Sequence, residues 1–320
     1  MVGWRPRDET ETMIMNYWLS LGRAATAANT SVTTAAATAA NAATASLRQG
    51  ARKLAKSAAL LSALGLVAAA ILNPAQAELL DDIQAKGKIV IGTEGVYAPY
   101  TYHDEQNNLT GYDVEVGRAI AAELGVKAEF VESPWDSLIA GLDAKRYDVV
   151  INQVGSTPDR RQKFDFSQPY TSVKGVLLVN QKNNELTSLE QLKGHKVATT
   201  ITSNWGQIVT GLGGEIVGVQ GFDQAVQLVA SGRAEATVNS EIAWNDYLSV
   251  KPNVPVKVVD RTKESLNSEI PFHKGNPKFA AAIDQAINKL RDDGTLSELS
   301  LKFLHVDLSG KEVDSQAEAK

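Results

Sequence analysis

The side chains that most often carry chemistry are sparse in this sequence, and their spacing excludes most catalytic frameworks. Four histidines, His103, His195, His273 and His305, stand far apart, with no HExxH spacing to share a metal. Isolated histidines of this kind read as surface residues. The chain has no cysteine, which excludes thiolate nucleophiles, disulfides and a lipid-bearing cysteine. Neither GxSxG, a Walker loop nor GxGxxG occurs, and Gly211-Leu-Gly-Gly214 lacks the strand–helix setting of a phosphate loop and reads as a turn. No cofactor and no metal are expected. What remains is binding chemistry. Arg160 stands in Thr157-Pro-Asp-Arg-Arg161 with Lys163 beside it. A planar guanidinium forks onto a carboxylate with two charge-assisted hydrogen bonds, which lysine cannot reproduce. On composition alone, however, this turn reads as a solvated, charged surface.

The elements that must position such residues alternate between apolar runs and helical patterns, which predicts an α/β fold with mainly parallel strands. Helices are expected over 79–85, 113–124, 135–142, 188–192, 205–209, 222–230, 277–290 and 296–304. Strands are expected over 88–92, 128–131, 147–151, 176–179, 196–198, 236–238 and 256–259. No repeat with a period of 20–50 residues is present, so solenoids and propellers are excluded.

The N-terminal quarter is different material. Residues 1–46 include a nearly uncharged Ala/Thr run without apolar period and read as disordered, or as an extended leader from a mis-assigned start. Arg48, Arg52, Lys53 and Lys56 precede a 15-residue apolar segment, Ala58 to Leu72, and a small-x-small ending at Ala75-Gln-Ala77. That pattern reads as a secretory signal peptide over 47–77, with an apolar core short of the roughly 20 residues a membrane span needs. Leu47 stands where an alternative start codon is expected. Residues 78–320 then hold 25 basic and 34 acidic side chains, a net charge of −9, which argues against a nucleic-acid partner. The expected location is the periplasm. Residues 309–320 read as a solvated tail.

Specific motifs lie between these ends. Gly111-Tyr-Asp-Val-Glu-Val-Gly-Arg-Ala-Ile-Ala-Ala-Glu-Leu124 resembles the signature of the polar amino-acid family of bacterial solute-binding proteins. In the same order stand Ile91-Gly-Thr-Glu-Gly-Val-Tyr-Ala-Pro-Tyr100, Trp135-Asp136, Asp148-Val-Val-Ile-Asn-Gln153, Thr157-Pro-Asp-Arg-Arg161, Asp165-Phe-Ser-Gln-Pro-Tyr170 and Asp292-Asp-Gly-Thr-Leu296. The resemblance covers about residues 79–308. The run from Leu142 to Val154, with Ser203-Asn204-Trp205, is most similar to the cystine- and cysteine-binding members.

The resemblance implies a two-lobed fold of the type II periplasmic-binding-protein kind, each lobe a mainly parallel sheet flanked by helices. Lobe one is expected from 78–172 and 267–308, lobe two from 173–266, with crossovers near 170–174 and 265–269. A monomer that passes a polar amino acid to the membrane permease subunits of an ABC importer is the implied function, and the chain is not expected to be an enzyme. By the same resemblance Arg160 holds the ligand's α-carboxylate, helped by Thr157, while Gln153 offers its carbonyl to the ammonium. Gly155 stands where many relatives have Thr. Ser240 stands where they supply Asp for the ammonium, so Glu94, Glu241 or Ser240 itself must serve. Tyr97 and Trp135 are expected to wall the pocket, and Ser203 and Asn204 to donate from lobe two. Trp205 reads equally as pocket or core. A periplasmic cyclohexadienyl (prephenate or arogenate) dehydratase on the same fold is the alternative, with Glu94 or Glu241 as general acid.

Overall fold

The structure is a computed structural model and describes residues 78–310. The leader and signal-peptide readings for 1–77, and all but two residues of the expected tail, lie outside the described residues.

In chain order the helices are α1 (Leu79–Lys86), α2 (Tyr112–Glu123), α3 (Trp135–Asp143), α4 (Pro158–Lys163), α5 (Asn204–Gly211), α6 (Phe222–Ala230), α7 (Glu241–Val250), α8 (Pro277–Asp292) and α9 (Thr295–Leu304). The strands are β1 (Lys88–Thr93), β2 (Tyr102–His103), β3 (Leu109–Thr110), β4 (Lys127–Glu132), β5 (Val149–Val150), β6 (Phe164–Phe166), β7 (Thr171–Val173), β8 (Gly175–Asn180), β9 (Lys196–Thr199), β10 (Glu215–Gly218), β11 (Ala236–Ser240), β12 (Val256–Arg261), β13 (Leu266–Ser268) and β14 (Pro271–His273).

They form two five-stranded sheets, β4-β1-β5-β14-β6 and β10-β9-β11-β8-β12, joined by the two-stranded antiparallel ladder β13-β7. This is the two-lobed α/β architecture. Each sheet is parallel on one side and antiparallel on the other, rather than mainly parallel throughout: β14 runs against β5 and β6, and β8 against β11 and β12. The reversals arise where the chain enters a lobe from a crossover instead of from a covering helix. The β7–β13 ladder pairs Thr171 with Ser268 and Val173 with Leu266, so the two connections between the lobes run side by side.

Burial follows the patterning. Gly175 to Val179 of β8 are all buried, because helices cover both faces of the second sheet, whereas edge strand β4 alternates exposed and half-buried positions. In the first lobe Ile89 and Ile91 of β1 pack with Tyr112, Val116 and Ile120 of α2. The α8 residues Phe279, Ile283 and Ile287 complete this core, although they arrive about two hundred positions later in the chain. Phe279 meets Phe272 of β14 edge-on, with ring centroids 5.0 Å apart. Helices α4 and α7 and strands β6, β10 and β14 are not expected from the sequence; the helix expected over 205–209 is found as α5, and the expected strand 147–151 narrows to two residues. Among the described residues no helix is long and apolar enough to cross a membrane.

Phe279→Ala removes the ring that ties the returning segment to lobe one. It is expected to lower unfolding free energy by about 3–5 kcal/mol, read from urea denaturation midpoints at unchanged m-value.

Candidate ligand-binding site

The loops after β1, β5, β9 and β11 converge where the two sheets face each other, and with the lobes in contact the cavity between them has a volume of about 30 Å³, room for one or two water molecules. That placement follows from α/β geometry, which gathers loops at the carboxyl ends of parallel strands. From lobe one, Glu94, Tyr97, Trp135, Asn152 and Gln153 line it. From lobe two come Ser203, Asn204, Trp205, Phe222 and Asn239.

The lobes are in direct contact around this cavity. Tyr97 Oη donates to Asn239 Oδ1 at 2.7 Å, and the hydroxyls of Tyr100 and Ser240 lie 2.7 Å apart. Thr202 gives its backbone N–H and hydroxyl to Asp136 Oδ1 at 3.1 and 2.7 Å. Arg160 makes the densest link. Its Nη1 donates to Gly155 O and to Asn204 Oδ1, and its Nη2 to Thr202 O, each at 2.7 Å. The guanidinium carbon stands 5.5 Å from the Trp135 ring centre.

Arg160 is only 6% exposed, and among the described residues its partners are neutral oxygens; its neighbour Arg161 is the one that pairs with a carboxylate, Glu269, at 2.7 Å. Burial pushes the Arg160 pKa down to about 10, so the group stays cationic at neutral pH. It does not itself line the central cavity. It lines instead an outer groove that it shares with Asp136, Asp159 and Thr202. The surface reading of this turn is thereby corrected: α4 starts at Thr157 and turns Arg160 inward while Asp159 and Arg161 stay exposed.

The other expected residues divide into two groups. Glu94, Tyr97, Trp135, Gln153, Ser203 and Asn204 line the cavity. Thr157, Gly155 and Ser240 do not. Thr157 Oγ1 accepts from Arg160 N at 3.3 Å and so caps α4. Gly155 N donates to Asn204 Oδ1, and a Cβ at 155 would stand 2.7 Å from Asn204 Nδ2, so the absent side chain lets the lobes approach. Ser240 caps α7, its hydroxyl accepting from Ile242 N and Ala243 N. Because strand positions alternate faces, the residue of β11 that reaches the cavity is Asn239. Glu241 is turned away and pairs with Arg261 at 2.7 Å. Asn152, Asn239 and Phe222 were not anticipated; Asn152 and Asn239 sit within quoted motifs or strands, where counting the two-residue period to the strand end would have found them.

Glu94 is the one carboxyl among the described residues that line the cavity. Burial raises its pKa from 4.5 to about 7, against the opposing hydrogen bond that Asn152 Nδ2 donates to its Oε2 at 2.6 Å. Ser203 Oγ accepts from Gly206 N and donates to Thr200 O, ordering the α5 start. The indole Nε1 of Trp135 and the hydroxyl of Thr199, both cavity-lining residues, are buried without a hydrogen-bond partner among the described residues. The site offers a titratable acid, unsatisfied polar groups and aromatic walls, with the Arg160 cation behind the Trp135 ring. No group of three or more His, Asp or Glu residues with metal-ligand spacing occurs among the described residues.

A fold of two lobes closing on such a cavity is that of an extracellular solute-binding protein, and the profile of the bacterial extracellular solute-binding proteins, family 3, matches residues 89–306. The chain belongs to that family. It is 38% identical over 258 residues to a probable amino-acid ABC transporter-binding protein of Haemophilus influenzae, covering 81% of this chain and 99% of that one. It is 40% identical over 238 residues to the L-cystine-binding protein TcyA of Bacillus subtilis, covering 74% and 88%. The crystal structure of the L-cystine solute receptor of Neisseria gonorrhoeae, in its unliganded open conformation, is 45% identical, covers 72% of this chain and 98% of that one, and has a TM-score of 0.51. The lobes here touch across the cleft, so a chain with open lobes superposes less well than its identity suggests.

Glu94 and Asp113, whose pKa burial also raises to about 7, hold their protons more tightly folded than unfolded. Their share of stability therefore grows as pH falls through 7. Calorimetry on the ligand-free protein should show a higher Tm at about pH 6 than at about pH 8, with a smaller rise in Glu94→Gln.

Proposed function

We propose that this chain is the periplasmic substrate-binding protein of an amino-acid ABC importer, that it takes a polar amino acid of the L-cystine or L-cysteine class, and that it delivers it as a monomer to membrane permease subunits. The observation that carries this reading is the buried Arg160 guanidinium at the meeting of the lobes, held by three neutral oxygens. A ligand carboxylate supplies the anion that this cation lacks. Glu94 supplies the matching charge for the ammonium, replacing the lobe-two acid whose place Ser240 takes. Tyr97, Trp135 and Trp205 cover the carbon–sulfur skeleton, and Gln153, Ser203, Asn204 and Asn239 complete the polar wall. The backbone at Gly155 and the cap at Thr157 act through Arg160, which they hold in place. The L-cystine-binding relative and receptor support the ligand class. Ligand bridging both lobes favours the closed form by its differential contacts.

The dehydratase alternative has one observation in its favour, the carboxyl of Glu94 poised near neutrality. The relatives that bind amino acids or L-cystine favour binding over catalysis. Incubation with prephenate is expected to give no phenylpyruvate absorbance; turnover establishes the enzyme instead.

In isothermal calorimetry across an amino-acid panel, L-cystine or L-cysteine should bind tightest, and Arg160→Ala should weaken binding by about 2–5 kcal/mol. Because Glu94 must ionise to hold an ammonium, affinity should be flat above its pKa of about 7 and decline below it, approaching tenfold per pH unit, and Glu94→Gln should abolish the slope. No hit across the panel removes the amino-acid reading.

A further inference from the structure

Gln153 lines the cavity, yet its side chain points away from it and into the joint between the lobes. It is a non-glycine residue with φ of 51°, in the left-handed region that costs such residues free energy unless surrounding bonds enforce it. Those bonds are present. Its Nε2 donates to Asp113 Oδ1 at 2.7 Å, its Oε1 accepts from Ser268 Oγ at 2.8 Å, and its N–H donates to Tyr170 Oη at 3.2 Å. Tyr170 Oη in turn donates to Asp113 Oδ1 at 3.1 Å, and Tyr170 N donates to Ser268 O at 3.0 Å. On the cavity side, Gln153 O accepts from Asn204 Nδ2 of lobe two at 3.5 Å.

Tyr170 immediately precedes the first crossover strand, β7, and Ser268 ends the second, β13. The network thus joins the lobe-one end of both crossovers to one residue of the pocket wall. Asp113 and Tyr170 are fully buried, and Asp113 touches no cavity surface. We propose that Asp113, Tyr170 and Ser268 are positioning residues that clamp Gln153 as the fixed pivot of lobe closure, so that the angle at which the lobes meet is set from lobe one. The cluster's polar side-chain atoms bond one another except Asp113 Oδ2, which is buried without a partner among the described residues, and the bonds that are made require one geometry of the crossovers. Tyr170→Phe or Ser268→Ala leaves the fold and the cavity lining intact but frees Gln153 to leave its left-handed conformation. The crossovers then hold a range of angles.

The chain has no native cysteine, which allows spin labels at Asp143→Cys and Thr210→Cys, exposed positions on α3 and α5 of opposite lobes. Double electron–electron resonance on the ligand-free protein reads the inter-lobe distance distribution. Tyr170→Phe and Ser268→Ala should each broaden it, with circular dichroism unchanged, and should weaken L-cystine binding by about five-fold, the equivalent of one hydrogen bond. A merely structural role lowers Tm without moving the distribution, and distributions that superpose on the parent's overturn the proposal whatever the affinities. The affinity arm rests on the amino-acid reading above and the distance arm does not. A parent protein that binds no amino acid while the variants still broaden sustains the pivot and removes the ligand class.

Discussion

A cation enclosed at a seam without an anion is an unusual thing for a protein to retain. Removing a guanidinium from water costs several kcal/mol, and neutral carbonyl oxygens return only part of it. Arg160 is in this position whenever the lobes meet, because Asn204 and Thr202 from lobe two close over it. The seam as it stands is therefore under-compensated by one negative charge. In the proposed reading, a ligand carboxylate that reaches this point favours the arrangement in which the lobes meet, and that one charge links binding to closure.

The cavity's acid, Glu94, sits on lobe one beside Asn152, which donates to its Oε2. If an amino acid binds as proposed, both of its charged contacts lie on lobe one. Lobe two contributes hydroxyls, amides and the Trp205 face. In the proposed reading, lobe one selects for the zwitterion and lobe two for the shape of what is attached to it.

Much of this was legible before any coordinates. Hydrophobic period and helix stops located α1, α2, α3, α6, α8 and α9 to within two residues, because each carries a long apolar stripe ended by glycine or a change of pattern. The short strands β6 and β14 were not legible, since three residues carry no period and their pairing partners lie a hundred positions apart. Burial of Arg160 was not written in its local composition, where charged neighbours imply solvent; only the order of motifs along the chain implied it. The facing of Ser240 is not legible for a simpler reason. One step along a strand exchanges the two faces, so recognising the correct strand end does not decide whether position 239 or 240 faces the ligand. In the sequence Gly155 reads as a lost contact, and its role as clearance for Asn204 follows only from what stands opposite it.

The interleaving of the first sheet has one more outcome. Strand β14 lies between β5 and β6, and α8 fills the core behind β1, so lobe one stays incomplete until residues near 290 are available. The second sheet is built from one uninterrupted stretch between the crossovers. A polypeptide that emerges amino end first, from a ribosome or a narrow pore, can complete its second half before its first. For most of its emergence the leading segment has no finished core to collapse onto, so lobe one forms last although its chain comes first.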